Sequence, residues 1–99
     1  MRRYIVAAQE LTLEAEQQLK DYFEEQELGW WHWIENFWLV TSYNDEVNAN
    51  TIFEQINTQL PKVRALVIEV GNIPDWSGYG PKNEKSDMFK WLNEHWTAD

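Results

Sequence analysis

Residues 29–40 read "GWWHWIENFWLV". Two apolar runs, 30–34 and 37–43, flank the dipeptide Glu35-Asn36, the pattern of two strands joined by a tight connection. Glu-Asn is not the Asn-Gly favoured in two-residue hairpins, so the connection has room to take a residue or two from either strand. Strand alternation puts Trp31 and Trp33 on one face and Trp30, His32 and Ile34 on the other. In the second run Trp38 and Val40 oppose Phe37, Leu39 and Thr41. The tryptophans are therefore expected to divide between two sheet faces and not to form one continuous platform. Trp38 and one tryptophan face of the preceding strand are expected in the core. The other face, with Trp30 and His32 or with Trp31 and Trp33, is left for some other cover.

Upstream, "RRYIVAA" (2–8) reads as a first strand. In "ELTLEAEQQLKDYFEEQEL" (10–28), Ala15, Leu19, Tyr22 and Phe23 share one face of a helix, Thr12 is placed to cap its start and Gly29 to stop it. Its outer face carries Glu14, Glu16, Asp21, Glu24, Glu25 and Glu27 against Lys20 alone. Downstream, "NDEVNANTIFEQINTQL" (44–60) is a second helix, capped by Asn44 or Asp45 and followed by Pro61. Ala49, Ile52, Phe53, Ile56 and Leu60 form its apolar face. "RALVIEV" (64–70) is a fourth strand, and its continuous Leu66-Val67-Ile68 predicts burial on both faces. The order is βαββαβ, the split pattern of ferredoxin-like α+β domains: a four-stranded antiparallel sheet with two helices on one face. Residues 1–70 form this core. Residues 71–99 belong to the same single domain and hold a turn-rich stretch and a tail helix, "SDMFKWLNEHW" (86–96), capped by Ser86 or Asp87. Phe89, Leu92 and Trp96 share a face of that helix, while Trp91 points partly aside. The second sheet face needs a cover, and another copy of the chain is the simplest one, so a homodimer is expected.

Composition narrows the function. A chain of 99 residues makes one domain, and seven tryptophans, each able to bury roughly 150–250 Å², can fill a small core. There is no cysteine, which removes disulfide and thiolate chemistry. No apolar run reaches the ~20 residues of a membrane span, and "MRRYIVAAQE" is too short in apolar length for a signal peptide, so the expected location is cytoplasmic. The net charge is −9, and residues 1–50 hold 3 basic and 10 acidic groups. Nucleic-acid binders carry a basic footprint, and none is visible. The acidity fits a basic protein partner or mimicry of nucleic-acid charge better than it fits nucleic acid itself.

Three stretches, in order, resemble a known family: "WWHWIENFWLV", then "ALVIEV", then "DWSGYG" followed by "KWLNEHW". Together they are similar to the small SinR-like proteins of bacteria and phages, which in turn resemble the small ferredoxin-fold subunit of CRISPR adaptation and the GhoS-type antitoxin endoribonuclease. The resemblance implies the fold, a dimer, and a setting in phage defence or toxin–antitoxin regulation. In the nuclease-like relatives the first strand ends in an Asp, usually after Tyr, and two such residues across the dimer would hold Mg²⁺ or Mn²⁺ to activate water. Here "YIVAAQE" puts Gln9, preceded by Ala8, at that position. An amide cannot supply the anionic charge, and Glu10, one residue on, points to the opposite face of a strand. No cofactor is therefore expected, and a divalent metal enters only if Glu10 or Glu69 replaces the missing Asp.

The remaining candidates are few. His32 and His95 make no zinc spacing. His32 as a general base would need a partner and an open substrate side; a packed, hydrogen-bonded imidazole is the expected state. Trp76 and Tyr79 could stack on a base, worth roughly 1–3 kcal/mol each, or Trp76 could tuck its segment onto the sheet edge. Trp91 is either a partner anchor or part of the tail's packing. The leading expectation is a non-catalytic, acidic, homodimeric binding protein that engages a protein partner, with Gln9, Glu10, Trp76, Tyr79 and Trp91 as candidate contacts. The alternatives are a metal-dependent endoribonuclease or phosphodiesterase using Glu10, Glu69 and His32, and a binder of a small nucleotide at an aromatic dimer seam.

Overall fold

The computed structural model describes residues 1–71, 77–78, 80, 82–83 and 87–97. The elements run β1 (Arg2–Ala8), α1 (Leu13–Glu25), β2 (Gly29–Ile34), β3 (Phe37–Ser42), α2 (Ala49–Gln59), β4 (Ala65–Val70) and α3 (Met88–Trp91), which continues as one π-helical turn, Leu92–Trp96. The strands form one four-stranded sheet in the order β2-β3-β1-β4, with every neighbouring pair antiparallel. The molecule is thus an α+β domain, with β2 and β4 as the two edges.

Alternation along the strands builds two apolar layers. On one face Tyr4, Val6, Trp38 and Val40 pack with Leu19 and Phe23 of α1 and Ile52 and Ile56 of α2, so both long helices lie on this side. Tyr4 reaches the end of that layer, where its hydroxyl donates to the Val47 carbonyl at 3.2 Å. On the other face Trp31 and Leu39 pack with Met88, Leu92 and Trp96 of the tail. Arg3, buried on that face, donates from Nε to the Trp96 carbonyl at 2.6 Å. A cation at the free carbonyls of a helix C-terminus is doubly favoured, by hydrogen bonding and by the helix dipole. The tail therefore occupies part of the face that the sequence left to a second copy. Met88, not Phe89, takes the buried position beside Leu92 and Trp96, and Phe89 is half-buried.

Four other expectations need correction. The first helix is stopped by Glu27, not by Gly29. Glu27 takes φ 58°, its N–H donates to Glu24 O, and the Leu28 N–H donates to Phe23 O, the paired bonds of a Schellman ending. Gly29 instead opens β2. The cap of α2 is Asn48, not Asn44 or Asp45. Asn48 and Thr51 bond each other's backbone N–H groups reciprocally, while Asn44 closes the preceding turn by accepting from the Glu46 N–H. β4 is not buried on both faces: it is an edge strand, with Leu66 59% and Ile68 46% exposed. Finally, strict alternation fails in β2. Trp31 pairs with Leu39 but Ile34 with Phe37, so β2 carries one extra residue, a bulge at His32-Trp33.

Candidate functional site

The bulge decides the local geometry. Trp31 and Ile34 face the tail side, His32 faces the helices, and Trp33 is left 41% exposed at the sheet edge. A cleft of 430 Å³ opens there between α1 and α3. Trp30, Trp31, His32 and Trp33 line its strand side, Lys20 its α1 side, and Asp87 and Trp91 its tail side. The tryptophans of β2 thus converge on one cleft, against the expectation that alternation would keep them apart. Gly29 contributes by its lack of a side chain: a Cβ there would lie 3.8 Å from Trp91 Cζ2 and 2.5 Å from Thr41 Oγ1.

Glu16 is the hub behind this cleft. Its Oε1 lies 3.1 Å from His32 Nε2 and 3.3 Å from Lys20 Nζ. The Lys20 ammonium in turn lies 5.5 Å from the centroid of the Trp30 ring, a cation–π distance. His32 is stacked on buried Trp38, with centroids 4.1 Å apart and planes 7° from parallel, and its Nδ1 donates to the Phe37 carbonyl at 2.8 Å. With both ring nitrogens engaged and one face covered, His32 is held as a packed imidazole. Both nitrogens that the general-base role considered from sequence would use are thus taken up by Phe37 and Glu16. His95 is exposed on the tail, its ring 5.7 Å from that of Trp91.

The first-strand end lies elsewhere. Gln9 and Glu10 are both exposed. The Gln9 N–H donates to Arg64 O at 2.8 Å, and Gln9 lines a shallow cleft with Ala7, Asn36, Arg64 and Leu66. Glu10, at φ 53°, turns the chain from β1 towards α1. Glu69 is remote from it. The register places Glu69 opposite Tyr4, and the run from Tyr4 to Ala8 alone spans roughly 13 Å at ~3.3 Å per residue. Glu10 follows the end of β1 while Glu69, on the neighbouring β4, lies beside the start of β1, so the two stand at opposite ends of the sheet. Glu69 is also committed, because Arg2 grips it with Nε at 3.1 Å and Nη2 at 2.9 Å. This two-pronged bond lowers the Glu69 carboxyl below its usual range and raises the Arg2 guanidinium. Among the described residues, no group of three or more His, Cys, Asp or Glu side chains could hold a metal ion. Trp76 and Tyr79 lie outside the described residues. Trp91 is half-buried, packed 6.5 Å from Trp96 and against the cleft, so it serves the tail's packing and the cleft wall together.

A second feature was only half visible in the sequence. Glu24, Glu25 and Glu27 are exposed at the C-terminal end of α1, where no basic residue accompanies them. Asn44 Nδ2 donates to Gln26 Oε1 at 3.1 Å, tying the β3–α2 loop to this end and bringing exposed Asp45 and Glu46 to the same pole. Tyr43, 78% exposed, stands between them beside a cleft lined by Glu25, Gln26, Glu27 and Asn44. Acids at a helix C-terminus oppose the helix dipole, so the local arrangement costs stability. The α1 acids were legible one by one; that the loop acids join them depends on tertiary structure.

No helix among the described residues is long and apolar enough to cross a membrane. Compared with protein-family models, curated proteins and solved structures, the chain matches none.

Proposed function

We propose that this protein is a non-catalytic binding protein that docks a basic protein surface through the acidic pole formed by Glu24, Glu25, Glu27, Asp45 and Glu46 around Tyr43. The observation that carries the reading is the pole itself: Glu24, Glu25 and Glu27 stand at the end of α1, where the helix dipole disfavours them, and the Asn44–Gln26 bond ties that end to the loop carrying Asp45 and Glu46. The last turn of α1 has no basic residue to offset these acids, and a locally unfavourable feature of this kind is readily explained by function. An exposed tyrosine amid the charges supplies a rigid contact of the kind enriched at interface centres. Field and partner are complementary, since a body of net charge −9 attracts cationic surfaces and repels nucleic acid.

The strand order β2-β3-β1-β4 supports a ferredoxin-like reading of the fold, and with it the proposed kinship to SinR-like proteins and a role in phage defence or toxin–antitoxin regulation. A homodimer is part of the same proposal, formed through the apolar surface that the tail leaves open on the second sheet face. The endoribonuclease alternative draws no support from Glu10 and Glu69, which stand at opposite ends of the sheet.

The test uses immobilised poly-arginine as a defined basic probe and two variants of equal charge change. One is Glu25→Gln/Glu27→Gln/Asp45→Asn/Glu46→Asn at the pole. The other is Glu10→Gln/Glu35→Gln/Glu54→Gln/Glu94→Gln at scattered exposed positions. The pole variant is expected to lose most of its binding, the scattered one little. Equal losses would reduce the pole to part of a diffuse negative field and defeat the proposal.

A further inference from the structure

We infer that the cleft at the β2 edge is a binding site for an organic cation, a guanidinium or alkylated ammonium group, held against the indole faces of Trp30, Trp33 and Trp91. Its volume of 430 Å³ is within the range of small-ligand sites, roughly 300–1,000 Å³. Indole faces carry the negative lobe of the ring quadrupole and attract cations at close range. The chain itself supplies the precedent: the Lys20 ammonium already sits over the Trp30 ring at 5.5 Å. Fixed charge points the same way. Asp87 stands at the tail side of the cleft and Glu16 behind Lys20, within a molecule of net charge −9. Among the described residues that line it, an anion would find one cation, Lys20, already paired with Glu16 at 3.3 Å. A planar neutral base could stack on the same rings, but neither the carboxylates nor the placement of Lys20 would favour it.

The same geometry assigns Lys20 a role. Its ammonium occupies the position over Trp30 that an incoming cation would take, so it competes with the ligand. Removing its charge should strengthen cation binding and weaken any binding of an anion. This sign separates the two ligand classes, whatever the affinity.

The experiment follows the indole Nε1–H signals by two-dimensional NMR on the intact chain, assigned with single Trp→Phe variants. The probes are N-acetyl-arginine amide, its neutral isostere N-acetyl-citrulline amide, tetramethylammonium and adenosine monophosphate. The arginine derivative and tetramethylammonium should shift the Trp30, Trp33 and Trp91 signals saturably, with the buried Trp38 signal as the unmoved reference. Citrulline should not. Lys20→Met should tighten arginine binding about two- to fivefold, the scale of one exposed cation–π contact, and Trp33→Ala should weaken it. Trp33 and Lys20 lie outside the buried core, and a preserved Trp38 signal shows that each variant is folded. An equal response to citrulline, a stronger response to the nucleotide, no saturable shift, or weaker arginine binding by Lys20→Met would each overturn the assignment. The site does not depend on the acidic pole. The pole-neutralised variant should retain the indole shifts, so failure here leaves the docking proposal standing, and the reverse.

Discussion

Gly29 shows how much one missing methyl group decides. It pairs with Thr41 across β2 and β3, and a Cβ on it would come within 2.5 Å of Thr41 Oγ1. Thr41 is buried and β-branched, so its hydroxyl has little freedom to move aside. Gly29→Ala is expected to destabilise the fold by about 1–3 kcal/mol, the usual cost of overpacking. In a Thr41→Ala background the same change should cost far less, and urea unfolding of the four proteins in the cycle checks the coupling. Additive losses would mean that the strain lies elsewhere, for instance against Trp91. The glycine was visible in the sequence, but its reason was not. A glycine after a helical pattern reads as a stop, whereas here it permits the close approach of two strands. His32 shows the same limit. Its packed state could be anticipated, but its stacking on Trp38 follows from a bulge that no periodicity announces.

The ending of α1 links element stability to the proposed docking. Glu27 holds the left-handed position of a Schellman motif, where a residue with a Cβ is less favourable than glycine by about 1–2 kcal/mol. Glycine's larger unfolded-state entropy cancels part of the difference. Glu27→Gly is therefore expected to raise stability by about 0.5–1 kcal/mol in urea unfolding, helped by removal of a carboxylate from the helix's negative end. The same change takes one charge from the acidic pole, so binding to poly-arginine should fall while stability rises. A variant that gains in stability with unchanged binding would remove Glu27 from the docking surface. The existence and order of the strands and of the two long helices were readable because their periodicities are strong, but the end of α1 and the start of α2 were not. The capping box of α2 stands in the sequence as Asn48-x-x-Thr51, but the earlier Asn44 and Asp45 are equally good cap residues by type and drew the reading upstream. The tail's destination was not readable. Its apolar face, Met88, Leu92 and Trp96, covers the Trp31–Leu39 part of the second sheet face, a cover that a partner could equally supply, and only tertiary structure decides between them. Arg3, reaching from β1 to the Trp96 carbonyl, is the residue that fixes the choice.

At the scale of the molecule, the tail's cover is incomplete in a definite place. The strand registers align Ile34, Phe37, Ala7 and Leu66 as one row across the second face, with Ile5 and Ile68 in the next row. Ile34, Leu66 and Ile68 are each roughly half exposed or more, and no charged side chain interrupts these rows. They run out to β4, an edge strand without proline whose one charge, Glu69, is held by Arg2. Exposed apolar edges of this kind pair with something or aggregate. A second copy presents an identical uncharged patch, which suits a two-fold interface in which each residue meets the partner's matching surface. Leu66→Asp is therefore expected to shift sedimentation from dimer to monomer, Leu66→Lys likewise, and an equimolar mixture of the two to recover a dimer. Salt supplies an independent sign. Two bodies of net charge −9 repel, so self-association through an uncharged patch should tighten as ionic strength rises, while docking of a basic partner at the acidic pole should weaken. A wild-type chain that stays monomeric at high salt and concentration would leave the exposed rows to a different partner and remove the homodimer from the proposal.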